Sequence, residues 1–383
     1  MAVAAAAVAL FVSTTSGRPT PRTAAALLRT TAPVDGLSAD GAVVLVKTAS
    51  CHGPSAPLDQ LLAWNPIRGR IVHVPGPPCK GVIPYSTVLE EAVAGDRLAW
   101  VPWIGGLSGS TWLLTTTTRK PSAIVRLTRY AGRTSDGGLG NSVGNVHGDG
   151  SLLVFNTWSD CLTEPQEPDF YPCPKGIPIR TPTTYKERLW RVVGHRKRLL
   201  AASRSELAAV SVAAGRILVR RADGSLELRG ATGALLRRFP FRPGEVQAAV
   251  LDAAELVVLD RRGAGLAWRV YRPGSGKLVR VLAASPEVGS AIHPTRTPER
   301  PLTDLLDVER GVLAYAVGRT VHLVRLADGR AATFRPPAVT VPGRPPVFVQ
   351  LEPPGLTYAY DVRGPLQGRV RFVPFGAIRF GRP

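Results

Sequence analysis

The chain has 383 residues, 44% of them hydrophobic and 20% charged, with 48 Lys and Arg against 28 Asp and Glu. That balance excludes disorder over most of the length and leaves room for one large core or two domains. Arg supplies 41 of the basic residues and Lys only 7, so the net charge has two readings: codon usage in a GC-rich genome, or an anionic partner such as nucleic acid, membrane surface or cell-wall polymer.

Residues 1–17 hold an apolar run, Ala2 to Val12, followed by small polar residues. This fits the hydrophobic region of a signal peptide or leader and is too short to span a bilayer, although no Lys or Arg precedes it. Secretion or attachment at the cell surface is the expectation. After the leader, Thr23 to Thr31 (TAAALLRTT) reads as a lone short strand.

From there a pattern recurs. VDGLSADGAVVLV with LLAWNPIRGRIVHV, AVAGDRLAWVPW with STWLLTTTTRKPSAIVRL, and NVHGDGSLLVFNTW with KERLWRVVGHRKRLLAAS each read as four short alternating runs broken by turn signals. The clearest unit is Glu206 to Phe239, in which Asp223-Gly224 and Thr232-Gly233 separate the last three runs. Val246 to Leu282 and Leu305 to Phe334 repeat it, and VFVQLEPPGLTYAYDVRGPLQGRVRFVPFG supplies a seventh unit with only three clear strands. An unpaired edge there needs a partner, and residues Ala24 to Arg29 are placed to be that strand. Helical patterning is almost absent.

Repeated four-stranded meanders of roughly 35 to 60 residues are the signature of a β-propeller. On these units the chain resembles the secreted bacterial, actinobacterial-type propellers of the WD-repeat-like, quinoprotein-like and TolB-like group. The resemblance spans residues 23–381 as a single domain and implies an all-β, seven-bladed ring of antiparallel blades closed by the N-terminal strand. No unit carries the Gly-His and Trp-Asp pair of true WD repeats. A β-sandwich pair or a large barrel is the alternative.

In such a ring, turns joining strands one to two and three to four share one face; the other connections share the opposite face. The first class is short throughout. The second holds the long segments Thr48 to Asp59, Cys79 to Val88, Ala131 to Ser142, Ser159 to Lys186 and Ser285 to Leu302, so one face is elaborated, where function tends to be built. Four cysteines fall on it. Cys51 with Cys79 and Cys161 with Cys173 are the expected disulfides, each stabilising by roughly 2 to 4 kcal/mol. The loop CLTEPQEPDFYPC is either a stapled surface insertion or a recognition loop; Phe170 and Tyr171 beside Asp169 support the second reading.

Motifs for chemistry are sparse. GNSVG, Gly140 to Gly144, matches a nucleophile pattern but lies in a linker with no helix following, so Ser142 is not read as catalytic. GSTW, Gly109 to Trp112, lacks the aspartate of an Asp-box turn, and GSGK, Gly274 to Lys277, is a turn rather than a phosphate loop. Asp40, Asp96, Asp149, Asp223 and Asp328 occupy turns, where they bond local backbone. His322 reads as strand packing. No metal constellation, cofactor or catalytic set is expected.

The expected function is a non-enzymatic binding or scaffold module, monomeric, meeting a protein, peptide or glycan at the looped face. Candidate binding residues there are Trp158, Asp160, Asp169, Phe170, Tyr171, His293 and Arg296. The alternative is an enzyme, either a polysaccharide or lactone lyase or hydrolase or a quinoprotein dehydrogenase. Arg196, Lys197 and Arg198, with other basic residues of the short turns, mark the plain face for docking on an anionic wall polymer or membrane. Nucleic acid is the least supported partner, because no DNA- or RNA-binding motif accompanies the charge.

Overall fold

Alternating apolar residues bury one face of a strand after another, and here the Gly-bearing turns between them are too short for anything but hairpins. In the computed structural model, which describes residues 25–48, 61–75, 86–104, 110–131, 140–161, 183–263, 265–291, 305–340, 345–363 and 367–381, the outcome is seven four-stranded antiparallel sheets. The protein is an all-β, seven-bladed propeller.

Blade 1 comprises β2 (Val34–Asp40), β3 (Val43–Thr48), β4 (Leu61–Asn65) and β5 (Arg70–Val74); blade 2 comprises β6 (Ser86–Ala94), β7 (Arg97–Ile104), β8 (Ser110–Thr117) and β9 (Lys120–Ala131). Blade 3 holds β10 (Gly140–Asp149), β11 (Leu152–Cys161), β12 (Thr183–Val193) and β13 (Arg196–Ser203), and blade 4 holds β14 (Leu207–Ala213), β15 (Arg216–Arg221), β16 (Leu226–Gly230) and β17 (Leu235–Phe239). Blade 5 is β18 (Val246–Leu251), β19 (Leu256–Arg262), β20 (Gly265–Tyr271) and β21 (Leu278–Ala283); blade 6 is β22 (Leu306–Glu309), β23 (Val312–Val317), β24 (Thr320–Arg325) and β25 (Ala331–Phe334). Blade 7 takes β26 (Val347–Glu352), β27 (Gly355–Val362) and β28 (Gln367–Pro374) from the C-terminal end, and β1 (Ala26–Arg29) from the N-terminal end.

The closing strand lies within the expected segment and pairs antiparallel with β28, Ala26 opposite Phe372 and Arg29 opposite Arg369. Its Leu28 is buried between blades 7 and 1. The first strand of each blade touches the first strand of the next around the ring, so these strands line the axis. The buried apolar side chains fall into seven clusters, one at each blade interface. Trp100 and Trp268 are among the largest fully buried side chains. The core is therefore a ring of wedges, each filled by two sheets. Gly224 and Gly233 sit at the expected hairpin turns with φ of 85° and 92°, a region that L side chains rarely adopt.

Two local readings change. GNSVG is not a linker: Gly140 to Gly144 begins β10, the innermost strand of blade 3, and its paucity of apolar residues hid it. Ser142 there pairs with Trp158, with no strand-to-helix elbow. The crossing from blade 5 to blade 6 also contains a short helix, α1 (Pro286–Ala291), whose Val288 is buried against both blades. The leader, Cys51, Cys79 and Cys173 lie outside the described residues, and with them both expected disulfides; Cys161 ends β11.

Candidate functional site

Strand ends divide the connections by face as expected. On the plain face every turn is short, from the two-residue turn 41–42 to the turn 272–277. The opposite face carries the connections 49–60, 75–85, 132–139, 162–182, 284–305 and 335–346; the first four belong to blades 1 to 3 and the last two flank blade 6. The elaboration is lopsided, because blade 4 has only 222–225 and blade 5 only 263–264 between their second and third strands.

In blades 1 and 2, toward this face, lies a group of buried charges. Lys47, near the end of β3, is 2% exposed, and Glu90 and Glu91, side by side in β6, are each 5% exposed. Lys47 Nζ lies 3.3 Å from Glu91 Oε2 and donates to the Leu89 carbonyl at 3.0 Å. Glu90 Oε2 accepts the Val146 backbone N–H from blade 3 at 2.9 Å. Burial raises both carboxyls, Glu90 to about 7, while the Lys47 charge opposes the rise at Glu91. Glycines make the space: a Cβ on Gly36 would stand 2.1 Å from Glu91 Oε1, and one on Gly144 would stand 2.6 Å from Glu90 Oε1 and 2.8 Å from the Trp158 ring.

The axial channel runs on to the plain face as a cavity of roughly 160 Å³ lined by the inner strands of all seven blades. Its mouth is acidic, with Asp40, Asp149, Asp252, Glu309 and Glu352 at or just past the ends of five inner strands. Desolvation and mutual repulsion raise Asp149, bring Glu309 to about 7, and push Glu352 well above the usual carboxylate range. Asp307, one layer deeper, is raised to about 7, chiefly by desolvation.

What these groups touch explains why they are there. An inner strand is paired on one side only, so its other N–H groups need acceptors. Side chains of the neighbouring blade supply them: Ser38 Oγ takes Val93 N–H at 3.2 Å, Ser211 Oγ takes Leu251 N–H at 3.1 Å, and Asp307 Oδ2 takes Leu351 N–H at 2.7 Å. Asp40 bridges the turns of two blades through Gly95 and Gly150 N–H, and Asp149 takes Ala214 N–H at 2.6 Å. His147, buried and with its pKa lowered to about 4 by desolvation, faces the Ala209 carbonyl at 3.1 Å. As a neutral ring it donates from Nε2 to that carbonyl. Asp223 and Asp328 accept local backbone N–H groups, as the sequence suggested, at 2.9 and 3.1 Å, whereas Asp40 and Asp149 accept those of other blades and Asp96 faces Arg119 at 3.4 Å. Among the described residues no group of three His, Cys, Asp or Glu is arranged to hold a metal ion.

Of the candidates read from sequence, Trp158 is half-buried in β11 and reaches the Glu90 cluster over Gly144, and Asp160 lies in the same strand opposite Gly140 and Thr184. Asp169, Phe170, Tyr171, His293 and Arg296 lie outside the described residues. Arg196 and Arg198 are exposed on β13, at the plain-face end of blade 3. Lys197 between them is engaged: its Nζ donates to Thr128 Oγ1 of blade 2 at 3.1 Å and sits 4.6 Å from the centre of the Trp190 ring. His322 packs as expected, stacked on Tyr315 at 5.0 Å. Lys47, Glu90 and Glu91 were missed. The signal was present, since VVLVKT and VLEEAVA each carry charge inside an otherwise apolar strand.

No protein-family model and no curated protein matches the sequence. Among solved structures the chain is similar to the computationally designed Ika8 protein, at 11% identity and a TM-score of 0.47 over 91% of this chain and 98% of that one. It is also similar to BamB from Moraxella catarrhalis, at 12% identity and a TM-score of 0.32 over 78% of this chain and 84% of that one. The seven-bladed architecture itself is read from the strand pairing of this chain.

Proposed function

We propose that the protein is a non-enzymatic binding or scaffold module, secreted or held at the cell surface, that offers the looped side of blades 1 to 3 to a protein, peptide or glycan. The observation that carries this reading is the uneven elaboration of one face: four of its six long connections leave blades 1 to 3, on a ring tied blade to blade. Variable loops on a rigid scaffold are how binding surfaces are commonly built. The buried carboxylates of β6 are committed to backbone N–H groups or to Lys47, which is the arrangement of struts rather than of a free acid and base. The apolar leader and the loop cysteines support an extracytoplasmic setting.

Screening the full chain against peptide and glycan arrays tests the reading. A ligand bound by the wild type and by Glu90→Gln, but lost in Phe170→Ala/Tyr171→Ala, is the expected result. Turnover of an arrayed glycan that Glu90→Gln abolishes would replace the binder with an enzyme.

A second reading concerns the plain face. Arg196 and Arg198 are exposed there, and they support docking on an anionic wall polymer or lipid surface. The acidic channel mouth sits at the centre of the same face, so the attraction would belong to the rim. Screening over about 10 Å at 0.1 M salt means that such binding should collapse as salt rises. Arg196→Glu/Arg198→Glu should weaken sedimentation with anionic vesicles; equal sedimentation would remove this reading.

A further inference from the structure

The seven blades end in seven outer strands, and their edges are not alike. Pro121 and a row of basic residues interrupt β9, three consecutive basic residues begin β13, and β17 carries Arg237 and Arg238. Strands β1 and β25 are only four residues long, and β5 is five residues long and opens on Arg70. Such features discourage another strand from adding to an edge. Strand β21, Leu278–Ala283, has none of them. It is the terminal strand of its sheet, pairs among the described residues only with β20, contains no proline and carries one charge, Arg280. Leu278, Val279 and Val281 are 41%, 50% and 48% exposed.

The molecule itself lays an extended segment along one outer edge. After β28 the chain returns to β25, where Gly381 N–H donates to the Ala331 carbonyl at 2.9 Å, Ile378 is buried and the Phe380 ring lies under Arg325. Blade 6 is thus covered by a chain segment from blade 7, whereas its neighbour β21 is uncovered among the described residues.

Charge indicates what would cover it. Arg262 and Arg269 are held by Asp260 at 2.9 and 2.6 Å, and Arg272 by Glu255 at 3.8 Å. Lys277, just before β21, and Arg280, within it, are the basic residues at this edge with no ion pair among the described residues. We propose that β21 is a docking edge for an extended segment of a partner protein, added as a fifth strand to blade 5, with apolar residues in alternation and acidic residues facing Lys277 and Arg280. Main-chain hydrogen bonds would give such a complex affinity, and the Val279, Val281 and Arg280 side chains its preference. This surface lies on the circumference, away from the looped face.

The test uses three synthetic peptides with the full chain: an alternating Glu-Val hexamer, a Lys-Val hexamer, and the Glu-Val hexamer with a central proline. Amide hydrogen exchange of the protein is followed with each. The expected result is protection of β21 amides by the Glu-Val peptide alone, with affinity lowered at least roughly fivefold in Arg280→Glu and in Val281→Lys. Both positions are exposed enough for the variants to fold, and melting temperatures confirm it. Binding without protection at β21, or undiminished in both variants, overturns the proposal. So does self-association of the wild type through β21 that Val281→Lys abolishes, since the occupant would then be a second copy.

Discussion

The Glu352 carboxylate, in blade 7, accepts the Gly41 backbone N–H, in blade 1, at 2.7 Å. These residues are 311 positions apart, yet the contact is the same kind of tie that joins other neighbouring blades. Together with the β1–β28 pairing and the hydrogen bond that the Val34 backbone N–H donates to Asp361 Oδ1 at 2.9 Å, it closes the ring where the two ends of the chain meet.

Removing that acceptor should loosen the seam. Glu352→Ala leaves the Gly41 N–H without its partner and should cost about 1 to 3 kcal/mol in urea unfolding. Glu352→Gln keeps an acceptor oxygen and should cost markedly less. Equal losses in the two variants would show that the hydrogen bond is not what holds the seam.

Deleting residues 1–31 removes β1 and exposes the β28 edge together with the apolar surface that Leu28 covers. A sharp fall in melting temperature is expected, with a tendency to associate through the freed edge. An unchanged melting temperature would contradict closure by the N-terminal strand.

Stability should depend on pH in a direction set by the buried carboxyls. Glu90, Asp307 and Glu309 are raised to about 7 from ordinary values near 4. The folded state therefore binds their protons more tightly than the unfolded state. The stability they lend is complete below the unfolded values and is lost as pH rises through about 7. His147 acts oppositely: lowered from 6.5 to about 4, it takes stability away as pH falls through that interval. Three carboxyls outweigh one His over the interval they share, so melting temperature should fall from about pH 5 through about pH 7 and level off toward pH 8. Glu90→Gln should narrow the difference between pH 6 and pH 8; a melting temperature that climbs steadily to pH 8 would contradict the burial of these groups.

Close approach of inner strands gives a steric prediction. A Cβ on Gly148 would lie 2.1 Å from the Val93 carbonyl oxygen, which belongs to the backbone of blade 2 and cannot swing aside. Gly148→Ala should cost about 1 to 3 kcal/mol or more, while Gly274→Ala, with nothing within 4 Å, should be nearly neutral in the same chemical denaturation series.

Much of the ring was legible because blades are local. Each hairpin carries its own alternation and turn residues, so Glu206 to Phe239 announced its strands without reference to the rest of the chain. Even the closing strand could be placed, since a three-stranded last unit demanded a partner. The buried cluster could not be assembled in that way. Lys47 and Glu91 stand 44 residues apart in different blades, and nothing in a local pattern pairs residues across a blade interface. Asp40 and Asp149 were legible as turn residues but not as ties, because their acceptor role depends on which blade lies alongside. GNSVG was misplaced because small residues, needed where Glu90 and Trp158 crowd Gly144, erase the apolar alternation that marks a strand.

Replacing residues 162–182 by a short Gly-Ser turn joining β11 to β12 separates ligand binding at the looped face from the integrity of the ring. With the ring ties untouched, the melting temperature should stay within a few degrees of wild type, while binding to the ligand found on the arrays is lost. Binding that survives the replacement but disappears in Glu90→Gln/Glu91→Gln would place the activity in the channel and contradict the account.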